Sequence, residues 1–472
     1  MGYWLIDTPF GFSLDLSLWQ SILMLPENEL IKVLFAIFGW TVVWLLFFFI
    51  AKEFWLKVRQ GKYTKSWEWV LLAVDIPPLF IQTPKAVEQI FAHLSGVQST
   101  PNFGEKYWQG EKQRYFSLEI VSIEGYIQFL IRTEKSLRDL VEAAVYAQYP
   151  EAEITEVEDY VDILPKTYPN EEYDIAAGEF KLANDESFPI RTYPSFEYSL
   201  SKDVVFSDPM AAILENFSRI GHGENLWMQI IIEPTDNKWK EKGIELVKKI
   251  VANKKETKSV PLLGKAAEGI VGEAINIIKW SFEGGEEEKK KEDPPGKVSD
   301  LTPGAKSTVE SIEDKISKIG FKTKLQVLYI ARKEVFNPTK CLKGFSGALY
   351  QFNINVRNGF KGHKSTSATY WFKNHRILEL KRKFAKAVRE RKIKTFGNPY
   401  ILNIEELATI WHFPLPFVKT PLMQKQISKT AEPPIGLPIE TMDGPLRRKM
   451  PQVLNEPVKP PEPATPDELP FG

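Results

Sequence analysis

Between Val33 and Ala51 the chain reads VLFAIFGWTVVWLLFFFIA, about 19 residues without a charge and without the polar stripe of a surface helix. At the helical rise this run spans roughly 28 Å, close to the hydrocarbon thickness of a bilayer, and it predicts one transmembrane helix. It is too long and starts too late for a cleaved signal segment. From Trp67 the pattern changes to short elements. WVLLAVDIP reads as a strand, and Thr83-Pro84 as the cap and first residue of a helix through KAVEQIFAHL. Ser99–Gln113 is polar and glycine-containing, a loop. RYFSLEIVSI and YIQFLIRT are strands joined at Glu124-Gly125. SLRDLVEAAVYAQY carries Leu137, Leu140, Val141, Ala144 and Val145 at helical spacing, Pro150 ends it, and AEITEVEDYVDIL is the last strand. The order β-α-β-β-α-β is the split βαβ, ferredoxin-like arrangement, with both helices on one face of an antiparallel sheet.

A second set of similar elements follows. SFEYSL reads as a strand, Ser207-Asp208-Pro209 repeats the helix start, MAAILENFSRI is the helix, LWMQIIIEP a strand and WKEKGIELVKKIV the next helix. Aligning Thr83-Pro84 with Asp208-Pro209 pairs these elements in order and suggests an internal duplication. Element order and cap chemistry agree; sequence identity does not. The second set is interrupted by an insertion. VPLLGKAAEGIVGEAINIIKW reads equally as a membrane-surface, partner-docking or internally packed helix, and EGGEEEKKKEDPPGK as a disordered loop. Order resumes with a helix (STVESIEDKISKIG), a strand (FKTKLQVLYIARK) and a helix (NPTKCLKGFSGALYQF).

The expected organisation is α+β: an extracytoplasmic segment (1–28), a transmembrane helix with a basic flank (29–65), and two ferredoxin-like units (66–190 and 191–424). The second unit holds the insertion (253–306) and a basic helix (373–394). A proline-rich extended tail (425–472) closes the chain.

Charge orients the membrane segment. Before it the only basic residue is Lys32; after it come Lys52, Lys57, Arg59, Lys62 and Lys65. Basic flanks are retained on the cytoplasmic side, which puts the N-terminus outside and everything after Ala51 inside. Over all 472 residues the formal net charge is zero, so any anion-binding surface must be local. The strongest candidate is KNHRILELKRKFAKAVRERKIK, with Lys373, Arg376, Lys381, Arg382, Lys383, Lys386, Arg389, Arg391, Lys392 and Lys394 against Glu379 and Glu390. Ile377, Leu378, Leu380, Phe384 and Val388 give it a docking face. Three readings stay open for the basic residues: a solvated surface, nucleic-acid phosphate, or anionic lipid of the inner leaflet.

Catalytic chemistry is not legible. Gly61-Lys62, Gly264-Lys265 and Gly296-Lys297 are never followed by Ser or Thr, so none completes a phosphate-binding P-loop. The single Cys341 excludes a disulfide framework, and no two of the five histidines fall at helical ligand spacing. Glu151, Glu153, Glu156 and Glu158 read as a solvated strand face. No catalytic residue, cofactor or metal site is assigned, and no enzymatic activity is expected.

FSLEIVSIEGYIQFLIRT followed by LRDLVEAAVYAQYPEAEI resembles the N-terminal, membrane-anchored module of type IV secretion and conjugative-transfer ATPases of the HerA/FtsK type. DPMAAILENF with WMQIIIEP, and ILNIEELATIWHFP with VKTP, are similar to further blocks of that module in the same order, over roughly Trp67 to Pro438. In that family a proline-rich connector leads into the motor; here the sequence ends at Gly472 without a nucleotide-binding motif, so the family's ATPase activity is not carried over. The resemblance implies a structural or docking subunit of a DNA-transfer or secretion machine, partnered by a separate hexameric motor ATPase, with self-association by analogy. The alternatives are a membrane-tethered nucleic-acid-binding protein, or an envelope or pilus assembly scaffold without a DNA role.

Overall fold

A computed structural model describes residues 5–7, 13–15, 26–77, 82–165, 167–200, 203–206, 208–252 and 301–415. Most of the expected insertion and the proline-rich tail lie outside these residues. The described chain forms two compact units, one of residues 1–68 with 99–114 and one of residues 69–98 with 115–472.

The first unit is built on one long helix, α1 (Glu27–Lys65), preceded by a small hairpin of β1 (Leu5–Asp7) and β2 (Ser13–Asp15). In α1, Trp40 and Val42–Ile50 each leave 52–68% of their surface uncovered. Among the described residues no helix is long and apolar enough to cross a membrane. The expected span is therefore not supported by the described residues, which leave out the side chains of Val33, Leu34, Ala36, Ile37 and Phe38. Beyond the apolar run, the expected loop (99–114) packs back on α1. The Trp55 indole donates to the Tyr107 carbonyl at 2.8 Å and meets Trp108 edge-on. Gly110 sits at φ +79°, and a Cβ there would lie 2.5 Å from the Arg59 carbonyl, so the close approach requires glycine.

The second unit is a nine-stranded antiparallel sheet. Its N-terminal half matches the sequence reading. Strands β3 (Trp69–Asp75), β4 (Phe116–Ile123), β5 (Tyr126–Glu134) and β6 (Glu153–Val157) lie in the spatial order β4-β5-β3-β6, the split βαβ order. Glu124 and Gly125 both adopt positive φ, as a two-residue hairpin turn requires. Helices α2 (Pro84–Leu94) and α3 (Arg138–Gln148) bury Val87, Ile90, Phe91 and Leu94, and Val141, Ala144 and Val145, on one face of the sheet.

The C-terminal half has the same order built from other segments. Strands β7 (Tyr173–Leu182), β10 (Glu224–Pro234), β11 (Gly320–Arg332) and β12 (Phe360–Ser365) run β12-β7-β11-β10. SFEYSL, expected as the first strand, instead supplies β8 (Glu197–Leu200), which pairs with β9 (Asp203–Phe206) in a separate ribbon. The first strand is β7. Helix α4 (Met210–Ser218) holds the place of α2, as the cap alignment predicted. WKEKGIELVKKIV forms α5 (Lys238–Ala252), but α5 packs with α6 (Pro303–Ser317) inside the β10–β11 connection. The place of α3 goes to α7 (Pro338–Tyr350). Helices α4 and α7 lie on the same sheet face as α2 and α3.

The halves join where β10 pairs with β4, Asn225 opposite Ile123 through Ile232 opposite Phe116. The late block forms β13 (Tyr400–Asn403), which pairs with β11, and α9 (Ile404–Ile410), opened by an Asn403–Glu406 capping box. Trp411 then inserts between Phe91, Phe129 and Phe413 in the main core. Asp208 ties this block to α4: it accepts from Met210 N at 2.7 Å, faces His412 Nε2 at 3.0 Å and accepts from Leu415 N at 3.0 Å.

Candidate functional site

The opposite sheet face carries the basic segment. It forms α8 (Lys373–Glu390), and the expected docking residues Phe384 and Val388 are buried with Ala385 against Leu71, Val121, Trp227 and Leu328. Leu378 packs at the margin of this cluster, while Ile377 and Leu380 are half-buried.

Beneath α8 a row of polar side chains crosses the sheet. The register places Glu179, Gln326, Gln229 and Glu119 side by side on β7, β11, β10 and β4. Gln326 Nε2 donates to Gln229 Oε1, Gln229 Nε2 to the Tyr160 hydroxyl, and that hydroxyl to Glu119 Oε2, each at 2.7 Å. At one end, fully buried Arg391 donates through Nε and Nη2 to Glu119 at 3.0 and 3.2 Å. It also donates through Nη1 and Nη2 to Asp159 at 2.6 and 2.8 Å. Arg391 takes φ +45° immediately after α8, and this left-handed step turns its side chain into the sheet. Burial opposes the Arg391 charge, but Glu119 and then Tyr160 and Asp159 hold its pKa above the ordinary arginine range. For Asp159 burial raises the pKa, and the Arg391 hydrogen bond and charge outweigh it, so the net shift is downward.

At the other end Lys324 Nζ pairs with Glu179 at 3.2 Å and donates to the Lys392 carbonyl at 2.9 Å. Burial lowers the Lys324 pKa more than Glu179 restores it. These two residues line a cavity of about 200 Å³ with Lys181, Thr323, His363 and Tyr400. Burial, and next the Glu179 charge, raise the Tyr400 pKa. Among the described residues, no group of three or more His, Cys, Asp or Glu is placed to hold a metal ion.

The ten basic residues separate into two sets. Arg391 is a correction: expected to contact phosphate or lipid, it is wholly buried in ion pairs. Lys381 bonds Asp174 at 2.5 Å, Arg382 Nε donates to the Tyr168 carbonyl, and Arg389 donates to the Leu164 and Pro165 carbonyls, so these three fasten α8. Lys373, Arg376, Lys383, Lys386, Lys392 and Lys394 are exposed. Of these, Arg376 donates to the Thr369 carbonyl at 3.0 Å, Lys392 pairs with Glu390, and Lys386 stands 4.0 Å from Glu390.

Two features were not singled out from sequence. The polar row had a signal, a Glu or Gln in the middle of each otherwise largely apolar strand: Glu119 in FSLEIVSI, Gln229 in LWMQIIIEP and Gln326 in KLQVLYI. The other is Tyr370-Trp371-Phe372, just before α8, whose residues are 84%, 84% and 79% exposed. Tyr370 and Phe372 sit at φ +74° and +57°, a strained region for aromatic residues that costs on the order of 1–3 kcal/mol each.

A search of curated proteins returns no match. A family model described as a domain of unknown function, DUF8128, matches residues 77–426. That interval starts beyond α1 and β3 and takes in the rest of both sheet halves, α8 and the late block. Because the match covers most of the sequence, the chain belongs to the DUF8128 family.

Proposed function

We propose that this chain is a non-enzymatic, membrane-anchored docking subunit of a type IV secretion- or conjugation-like machine, driven by a motor ATPase on a separate chain. The observation that carries the anchor is the uncovered run Trp40–Ile50 in α1, followed within the same helix by Lys52, Lys57, Arg59, Lys62 and Lys65. In water ten such side chains among eleven successive residues are unfavourable; in hydrocarbon they are at home. With the basics retained inside, the N-terminus is outside the inner membrane and the sheet unit is cytoplasmic. The secretion assignment rests on the ordered sequence blocks that resemble the conjugative ATPase module. The matching strand orders of the two halves, with α4 in the place of α2, support an internal duplication of one ferredoxin-like unit.

Alkaline extraction and flotation of native membranes test the anchor: the chain should stay with the lipid, and release into the supernatant would refute it. The docking role is tested by mixing the detergent-purified chain with a P-loop motor ATPase encoded beside it. A stable complex with altered ATP turnover is expected; two separate species by mass photometry count against the role.

A further inference from the structure

We infer that Tyr370-Trp371-Phe372 and the exposed cations of α8 form a second membrane contact, a wedge that enters the headgroup layer of an anionic bilayer. Three adjacent aromatic side chains, none less than 79% exposed, form an apolar tip on an otherwise charged surface. Their backbone includes two left-handed residues, so this display is held against local preference. Around the tip the charge is one-sided. From Phe360 to Lys386 there are eight lysines and arginines and one acidic residue, Glu379, which stands 3.8 Å from His375. Lys361, Lys364, Lys373, Arg376 and Lys383 are all exposed. Aromatic residues settle at headgroup depth, and nearby cations add attraction to anionic lipid.

Single-stranded nucleic acid also takes aromatics with cations. Lipid is favoured because the same chain displays a second uncovered apolar run in α1. To that extent the inference rests on the anchor reading.

The test uses the full chain with Thr369→Cys carrying an environment-sensitive fluorophore. The native thiol, Cys341, is buried and its pKa is pushed up to about 11, so it stays unlabelled. The labelled protein is placed in nanodiscs of phosphatidylcholine alone or with about a quarter phosphatidylglycerol. Expected are a blue shift and quenching by headgroup-labelled lipid in the anionic discs, both reduced at least threefold in neutral ones. Tyr370→Ser/Trp371→Ser/Phe372→Ser should abolish the quenching, and Lys373→Gln/Arg376→Gln/Lys383→Gln should weaken it. These groups are surface residues, so the thermal midpoint should stay unchanged. Aqueous emission in both discs overturns the inference, as does a signal change seen only on adding single-stranded DNA. The anchor fails separately, if the chain does not enter discs and remains soluble without detergent.

Discussion

Replacing Arg391 with Met should be among the most damaging single changes in the sheet unit. The guanidinium is fully buried and holds two carboxylates, Glu119 and Asp159. Without it, Glu119 remains as a charge with no exposed side-chain surface, bonded to the neutral Ser117 and Tyr160 hydroxyls. Removing one partner of such a buried pair costs about 3–5 kcal/mol. At about 2–4 °C per kcal/mol for a large domain, the thermal midpoint should fall by roughly 6–20 °C. Asp159 keeps 32% of its side chain exposed and can turn to water, so Glu119 bears most of the loss. Adding Glu119→Gln removes the stranded charge, and the double variant should recover about 1–3 kcal/mol relative to additivity. Urea unfolding of parent, single and double variants by circular dichroism measures both terms. A single variant within 1 kcal/mol of the parent, or strictly additive effects, would show that the Arg391–Glu119 pair contributes little to the stability of the sheet unit.

Two further outcomes follow from local geometry. Asp208 is buried, which alone would raise its pKa, but the His412 charge and hydrogen bond with the Leu415 and Met210 amides hold it below its ordinary 3.8. A carboxyl depressed in the folded state stabilises fully above its unfolded value, and that contribution is lost as pH falls through the folded value. The parent should therefore lose stability more steeply than Asp208→Asn from about pH 4 downward in urea titrations, and parallel slopes would contradict the ion pair. Gly110→Ala should lift the 99–114 loop from α1, because the added methyl would meet the Arg59 carbonyl 2.5 Å away. Limited trypsin digestion at Lys106 should quicken several-fold with little change in the global unfolding midpoint; an unchanged digestion rate would mean the loop tolerates the methyl.

The N-terminal half was legible because its elements are contiguous. Its hairpin turns within two residues, and both helices carry clean apolar stripes. The C-terminal half hid its strands in three ways. β7, YDIAAGEFKL, is diluted by small residues, because β11 and β12 on its flanks and the helices above supply the bulk. β10 and β11 pair along eleven residues, yet the helices α5 and α6 and the intervening insertion separate them in sequence, so no hairpin signal joins them. β12, FKGHKS, is an edge strand with mostly exposed side chains and no alternation to detect. At the site, periodicity located α8 and its inward face. It could not say that Arg391 turns inward, because that depends on one left-handed residue after the helix and on two carboxylates far away in sequence.

The β10–β4 seam also sets a timetable for synthesis. Ile123 pairs with Asn225, so the outer edge of β4 waits for about 100 further residues before its neighbour exists. At roughly 5–20 residues per second that is on the order of 5–20 s. The wait for β7 is longer, since both of its neighbours, β11 and β12, lie beyond residue 319. A nascent chain therefore carries unpaired strand edges through much of its translation, a window in which chaperone protection matters more than final stability.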